Sequence, residues 1–306
     1  MGNTSYSFSE RSLRSESLGY KTKSANEIFE QNRKRKIHES MEPSKALLRE
    51  ARDSQTHPFS VPIVLALDVT GSMGHIPHYL VKDGLPNLMA GIIQRGVADP
   101  QILFLPIGDH ECDKEPLQVS QFESGDAELD MWLTRTFIES GGGGNDGESY
   151  HLAYYFAAMH TVTDAWEKRN KKGFLFTIGD EPCLRNLPAS AIKEIMGTTP
   201  QTGYTTEELL AMAQEKYNVY HLHVMEGSAG RRSIGYWNNL LGQNCIRVDN
   251  HYDISKIVAE IVVANTEQTI DVEPQIIMDS VTPTNVTPTN KSEESSTSIS
   301  DIPIMM

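Results

Sequence analysis

The chain has 306 residues, 39% of them hydrophobic and 22% charged, enough for one large domain with tails or two small domains. No run approaches the roughly 18 apolar residues of a membrane-spanning helix, and residues 1–30 contain no apolar stretch of the kind a secretory leader needs, which places the protein in the cytoplasm and away from membranes. Residues 1–57 hold 11 Lys+Arg against 8 Asp+Glu, whereas residues 58–306 hold 16 against 33, so the main body repels nucleic-acid phosphates and suits cations.

Residues 1 to about 25 are rich in Ser, Arg and Glu and poor in branched apolar residues, a composition that reads as disordered. The spacing predicts amphipathic helices over Ser24–His38 and Pro43–Arg52, with Pro43 suited to a first helical position. The basic run Arg33–Lys36, flanked by Glu30 and Glu39, reads as a solvated helix face. Residues 1–57 together form an N-terminal extension, partly disordered with short helices.

From residue 58 onward strands and helices alternate. Val61–Leu67 is a continuous apolar run ending in Asp68, the pattern of a buried parallel strand. A helix follows over Ile76–Gln94, kinked or broken at Pro86, then a strand at Gln101–Ile107 and a short one at Val119–Phe122. Apolar spacing predicts helices at Asp126–Glu139 and, after a glycine-rich loop, at Glu148–Lys168. Phe174–Ile178 is a strand ending in Gly179 and Asp180. Helices at Ala189–Met196 and Thr206–Glu215, a strand at Val219–Val224, a helix at Ile234–Leu241, a strand at Cys245–Val248 and a helix at Ile254–Ala264 complete the domain, which spans 58–265. The expected fold class is three-layer α/β, a mostly parallel sheet with helices on both faces. Residues 266–306 hold 13 Ser or Thr and read as a disordered tail.

Ligands of such sheets sit beyond the carboxyl ends of the strands. Three oxygen-bearing segments meet that edge: Asp68, Thr70 and Ser72 after the first strand, the 141–148 loop, and Asp180 after the strand at 174. Hard oxygen donors of this kind suit Mg2+ or Mn2+. Gly71 is expected to permit the turn that aims the two hydroxyls back toward Asp68. Asp109, His110 and Glu111 lie on the same edge and read as solvated rim residues. His75 and His78 follow the motif closely, and their place at a helix start beside Pro77 reads as structural. Cys112, Cys183 and Cys245 are too widely spaced for a disulfide framework or a CxxC metal pair.

Val64–Met73, VLALDVTGSM, resembles the metal-ion-dependent adhesion site of von Willebrand factor A domains, and the element order over 61–265, about two thirds of the chain, is similar to that fold. The family pattern Asp-x-Ser/Thr-x-Ser is matched by Asp68, Thr70 and Ser72, and its later Asp by Asp180 in FLFTIGD. The loop Thr of the family has no counterpart in Gly142, Gly143, Gly144, Asn145, Asp146, Gly147, Glu148. That loop is closer to a Gly-Gly-Gly-Asp-x-Pro-Glu variant, so Asn145, Asp146 or Glu148 replaces the hydroxyl, with Asp146 and Asn145 preferred. The resemblance implies a divalent ion, Mg2+ or Mn2+, with one open coordination position for an Asp or Glu of a protein partner, and binding rather than bond cleavage.

Two other readings compete. DVTGSM also resembles the phosphoaspartyl motif of P-type ATPases and haloacid-dehalogenase-like phosphatases, with Asp68 as nucleophile. Against it, no second Asp follows Asp180 at the usual interval, and the glycine run has no role there. The alternative is a metal-free structural piece of an assembly.

Overall fold

The computed structural model describes residues 4–71, 73–139 and 145–266. Ser72, Gly142, Gly143, Gly144 and almost all of the 266–306 tail therefore lie outside the described residues.

In chain order the elements are α1 (Phe8–Ser17), α2 (Ala25–Ile28), α3 (Glu30–Lys34), β1 (Arg49–Ala51), β2 (Val61–Asp68), α4 (His75–Tyr79), α5 (Leu85–Ile93), β3 (Pro100–Ile107), α6 (Asp126–Thr134), α7 (His151–Met159), β4 (Thr161–Thr163), α8 (Asp164–Arg169) and β5 (Gly173–Gly179). Then come β6 (Asn186–Leu187), α9 (Ala189–Met196), β7 (Tyr204–Thr205), α10 (Thr206–Lys216), β8 (Tyr217–Val224), α11 (Ser228–Leu241), β9 (Cys245–Val248) and α12 (Ile254–Asn265).

Five strands form one parallel sheet in the order β3-β2-β5-β8-β9. All of β3 and β5 and nearly all of β2 are buried, as strands covered on both faces must be. Side chains divide by parity. Ile63, Leu65 and Leu67 of β2 pack with α4, α5, α6 and α12 on one face, while Val64 and Ala66 pack with α7, α9, α10 and Trp237 of α11 on the other. This is a three-layer α/β architecture.

The strand order fixes where a site can form. The chain steps from β2 to β3 in one direction, then returns to the other side of β2 and continues through β5, β8 and β9. Right-handed crossovers place the two sets of connecting helices on opposite faces, so the loops leaving β2 and β5 part and leave a crevice beyond their carboxyl ends. Asp68 closes β2, in register with Ile107 of β3, and Asp180 follows the last residue of β5.

Several local expectations change. Residues 4–25 are not disordered: α1 lies against the domain, and its Arg11 is buried with an ion pair to Asp130 of α6 at 3.0 Å. The expected helix over 24–38 breaks at Phe29, whose buried ring makes the turn between α2 and α3 part of the core. The basic run is exposed as expected, but the helix ends at Lys34 with Arg35 left-handed. Within Pro43–Arg52 only a single 3-10 turn forms, and Arg49–Ala51 instead pairs with Thr161–Thr163 as β1 and β4. That pairing also ends the expected 148–168 helix at Met159: His160 turns out of the helix, with Nδ1 2.9 Å from the Leu47 carbonyl oxygen.

The helix expected over 126–139 stops at Thr134. Val119–Phe122 is not a strand, although the flanking Leu117 and Glu123 make antiparallel bridges to β3. The Pro86 interruption takes the form of one wider helical turn, Leu80–Gly84, with Pro86 near the start of α5. A wider turn leaves room for a ring that cannot donate a backbone hydrogen bond.

Candidate metal centre at the strand ends

Asp68 is 1% exposed, and both of its carboxylate oxygens are engaged. The backbone N–H of Thr70 (2.9 Å) and its hydroxyl (2.7 Å) donate to Oδ1, and the Tyr150 hydroxyl donates to Oδ2 at 2.8 Å. Beyond Thr70, the N–H groups of Met73 and Gly74 both donate to its carbonyl. The glycine that geometry does require is Gly179: a Cβ there would lie 1.8 Å from the Tyr150 hydroxyl oxygen and 2.9 Å from Asp68 Oδ2.

Asp180 is 1% exposed, and its carbonyl accepts from the Ser233 hydroxyl of α11. Glu148, 6% exposed, is tied by backbone hydrogen bonds to the segment after β5: its N–H donates to the Pro182 carbonyl, and its carbonyl accepts from Leu184. Its Oε2 is sealed from solvent with no hydrogen-bond partner, an arrangement that is costly for an ionised oxygen.

The carboxylates feel one another. Burial, partly offset by the Thr70 and Tyr150 hydrogen bonds and reinforced by the charge of Asp180, raises Asp68 to about 7. Burial, followed by the charges of Asp68, Asp113, Asp109 and Glu181, raises Glu148 to about 10. Burial and the same three carboxylates, Asp68, Glu148 and Asp180, drive the Tyr150 phenol well above its ordinary value. The charges that perturb Asp68 and Glu148 are thus themselves carboxylates, the converse of an ion-paired site.

Asn145 and Asp146 stand elsewhere. The Asn145 amide donates to Glu111 at 2.9 Å near the surface, and Asp146 is exposed. Of the three loop residues considered as replacements of the missing Thr, Glu148 is the buried one, and backbone pairing to the segment after β5 and the charge of Asp68 both act on it. Asp109 is not a solvated rim residue: it is 4% exposed and caps its own loop by accepting from the Glu111 N–H. His110 is half-buried against the Ser149 hydroxyl at 2.8 Å, joining the β3 loop to the start of α7, and only Glu111 is exposed. Tyr150 is the site residue that sequence reasoning missed. Its only signal is its place two residues after Glu148 at the start of α7.

An all-oxygen donor set with mutually repelling buried carboxylates fits a hard dication. Among the described residues, the set of three His, Cys, Asp or Glu groups with ligand atoms all within 4.8 Å of one another is a different one, His75, Glu226 and His251. Asp68, Glu148 and Asp180 do not form such a set.

No family model matches the chain, and no curated protein matches it. Among solved structures it is similar to the pilus adhesin SpaC of Lactobacillus rhamnosus GG in its open conformation, at 11% identity and a TM-score of 0.45, over 71% of this chain and 31% of that one. It is also similar to proximal thread matrix protein 1 of the mussel byssus, at 10% identity and a TM-score of 0.46, over 67% of this chain and 48% of that one. The chain spans less than half the length of either protein, and neither likeness bears on function.

Proposed function

We propose that residues 58–265 form a von Willebrand factor A-like domain that captures an acidic protein partner through a divalent cation, Mg2+ or Mn2+, at the ends of β2 and β5. One observation carries the reading: Asp68 and Glu148 are buried beside other carboxylates at a strand-order crevice and are driven toward their protonated forms. Bringing buried carboxylates together costs stability, and a bound dication restores it. Asp68, Thr70 and Asp180 would hold the ion, with Ser72 as the further hydroxyl of the motif and Glu148 in place of the missing loop Thr. When bound, the ion offers a partner carboxylate an open position and residual positive charge.

The remaining residues keep that arrangement in place. Thr70 and Tyr150 fix the Asp68 carboxylate from both sides, and Ser233 holds the backbone of Asp180 against α11. The acidic excess of residues 58–306 supports a protein rather than a nucleic-acid partner. Among the described residues no helix is long and apolar enough to cross a membrane, and we place the protein in the cytoplasm.

The test is affinity capture from a native extract with the full chain in Mg2+, in EDTA, and with Asp68→Ala in Mg2+. A partner retained only by the wild-type chain in Mg2+ supports the reading. Equal recovery in all three arms overturns it.

A further inference from the structure

We propose a second metal site on the same sheet edge, a transition-metal site of the Zn2+ class formed by His75, Glu226 and His251. The three residues come from separate parts of the chain. His75 opens α4, Glu226 lies in the loop after β8, and His251 lies in the loop after β9. His75 Nε2 stands 3.3 Å from Glu226 Oε2, and His251 Nδ1 stands 2.8 Å from Glu226 Oε1. One ligand atom from each residue lies within 4.8 Å of the other two. Ligands 2.0–2.1 Å from a tetrahedral ion stand about 3.3 Å from one another, so the triad needs little movement to close on a metal.

Two further observations separate this cluster from an incidental pairing of surface charges. His75 Nε2 is sealed from solvent and makes no hydrogen bond although Glu226 Oε2 lies 3.3 Å away, which leaves its lone pair or proton unused by the protein. The rings are also held in place: His75 and His251 meet edge to face at 4.6 Å, Tyr79 packs edge-on against His251 at 5.6 Å, and the His251 backbone N–H donates to Glu226 Oε1 at 2.9 Å. Glu226 is therefore oriented by a neighbouring backbone group, as ligating carboxylates are.

The donor chemistry is unlike that at Asp68. Two imidazoles and one carboxylate suit Zn2+ and its neighbours in the first transition row, whereas an all-oxygen set suits Mg2+. Three protein ligands also leave a position open to water or to a partner group. The site would tie the start of α4 to the loops after β8 and β9. Those segments border the other centre, since Gly74 is bonded to Thr70 and a Cβ on Gly227 would lie 3.1 Å from Asp180 Oδ2.

The experiment is calorimetric titration of the metal-stripped full chain with ZnCl2, repeated for Asp68→Ala, His75→Ala, His251→Asn and Glu226→Gln, with Co2+ absorption as an independent readout and circular dichroism to verify folding. The expected result is one Zn2+ equivalent retained in Asp68→Ala and weakened by roughly two orders of magnitude in the His75 and His251 variants, with the Co2+ ligand-field bands lost in the same variants. Zn2+ binding that survives His75→Ala and His251→Asn in folded protein, or that disappears with Asp68→Ala alone, would overturn the proposal, as would no binding to the wild type.

Discussion

At the scale of single residues, the strand-end centre turns on how Asp68 and Glu148 respond to losing their charge. Both are buried and pushed up, to about 7 and about 10, so in metal-free protein the neutral forms are favoured. Asp68→Asn keeps an oxygen acceptor for Thr70 and removes the buried charge. We expect its metal-free melting temperature to equal or exceed that of wild type, while the rise on adding Mg2+ disappears; scanning calorimetry with and without Mg2+ measures both. Glu148, which must lose its proton to face a cation, should release about one proton per Mg2+ bound at neutral pH, with a further fraction from Asp68. Glu148→Gln should lower that release by about one proton, seen as a reduced buffer dependence of the binding enthalpy. Asp68, Thr70 and Asp180 were legible in the sequence because each sits at or just beyond an apolar run whose end is unambiguous. Glu148 was named only as one of three loop candidates and Tyr150 not at all, because their placement follows from backbone pairing between the loop and the segment after β5. His75 read as a helix-start residue for a similar reason: Glu226 and His251, its neighbours in space, lie far along the chain.

At the scale of elements, two contacts are exposed to test. Gly179 lets β5 end against the Tyr150 hydroxyl, since any Cβ there would collide with it. Gly179→Ala should cost about 1–3 kcal/mol through this overpacking and weaken Mg2+ binding together with stability, as read by chemical denaturation in parallel with calorimetry. The second contact is α1 on α6, through the buried Arg11–Asp130 pair, with the Tyr20 hydroxyl also donating to Asp130 at 2.8 Å. Arg11→Met leaves a buried carboxylate uncompensated and should cost about 3–5 kcal/mol; Arg11→Met combined with Asp130→Leu should recover most of it. These elements explain where sequence reading stopped. The sheet strands declare themselves through continuous apolar runs, but α1 carries its burial on an arginine, a residue that composition scores as exposed. The 148–168 helix has no Gly or Pro at its break, and it ends because Thr161–Thr163 pairs with Arg49–Ala51, a long-range contact with no local signature.

At the scale of the whole molecule, buried imidazoles set the acid limit of the fold. Burial, then the neighbouring His110, lowers His151 to about 4, and burial holds His221, stacked on Trp237 at 3.5 Å, well below its ordinary value. An imidazole whose folded pKa lies below its unfolded value of about 6.5 is held neutral by the fold and takes up its proton on unfolding. The His151 contribution is therefore full above pH 6.5 and is lost as the pH drops toward 4, on the order of 3 kcal/mol, and in metal-free protein it runs against Asp68 and Glu148, whose raised carboxyls favour the fold as the pH falls. Urea denaturation at stepped pH, wild type against His151→Asn, isolates it: the difference between the two profiles should change by about that amount between pH 6.5 and 4.

The most direct measurement is calorimetric titration of the metal-stripped chain with MgCl2, wild type against Asp68→Ala, each checked for folding by circular dichroism. Saturable heat and a raised melting temperature in the wild type, both absent in a folded Asp68→Ala, is the expected outcome. Identical titrations for the two proteins, with or without heat, would mean that the buried carboxylates at the ends of β2 and β5 do not hold a cation.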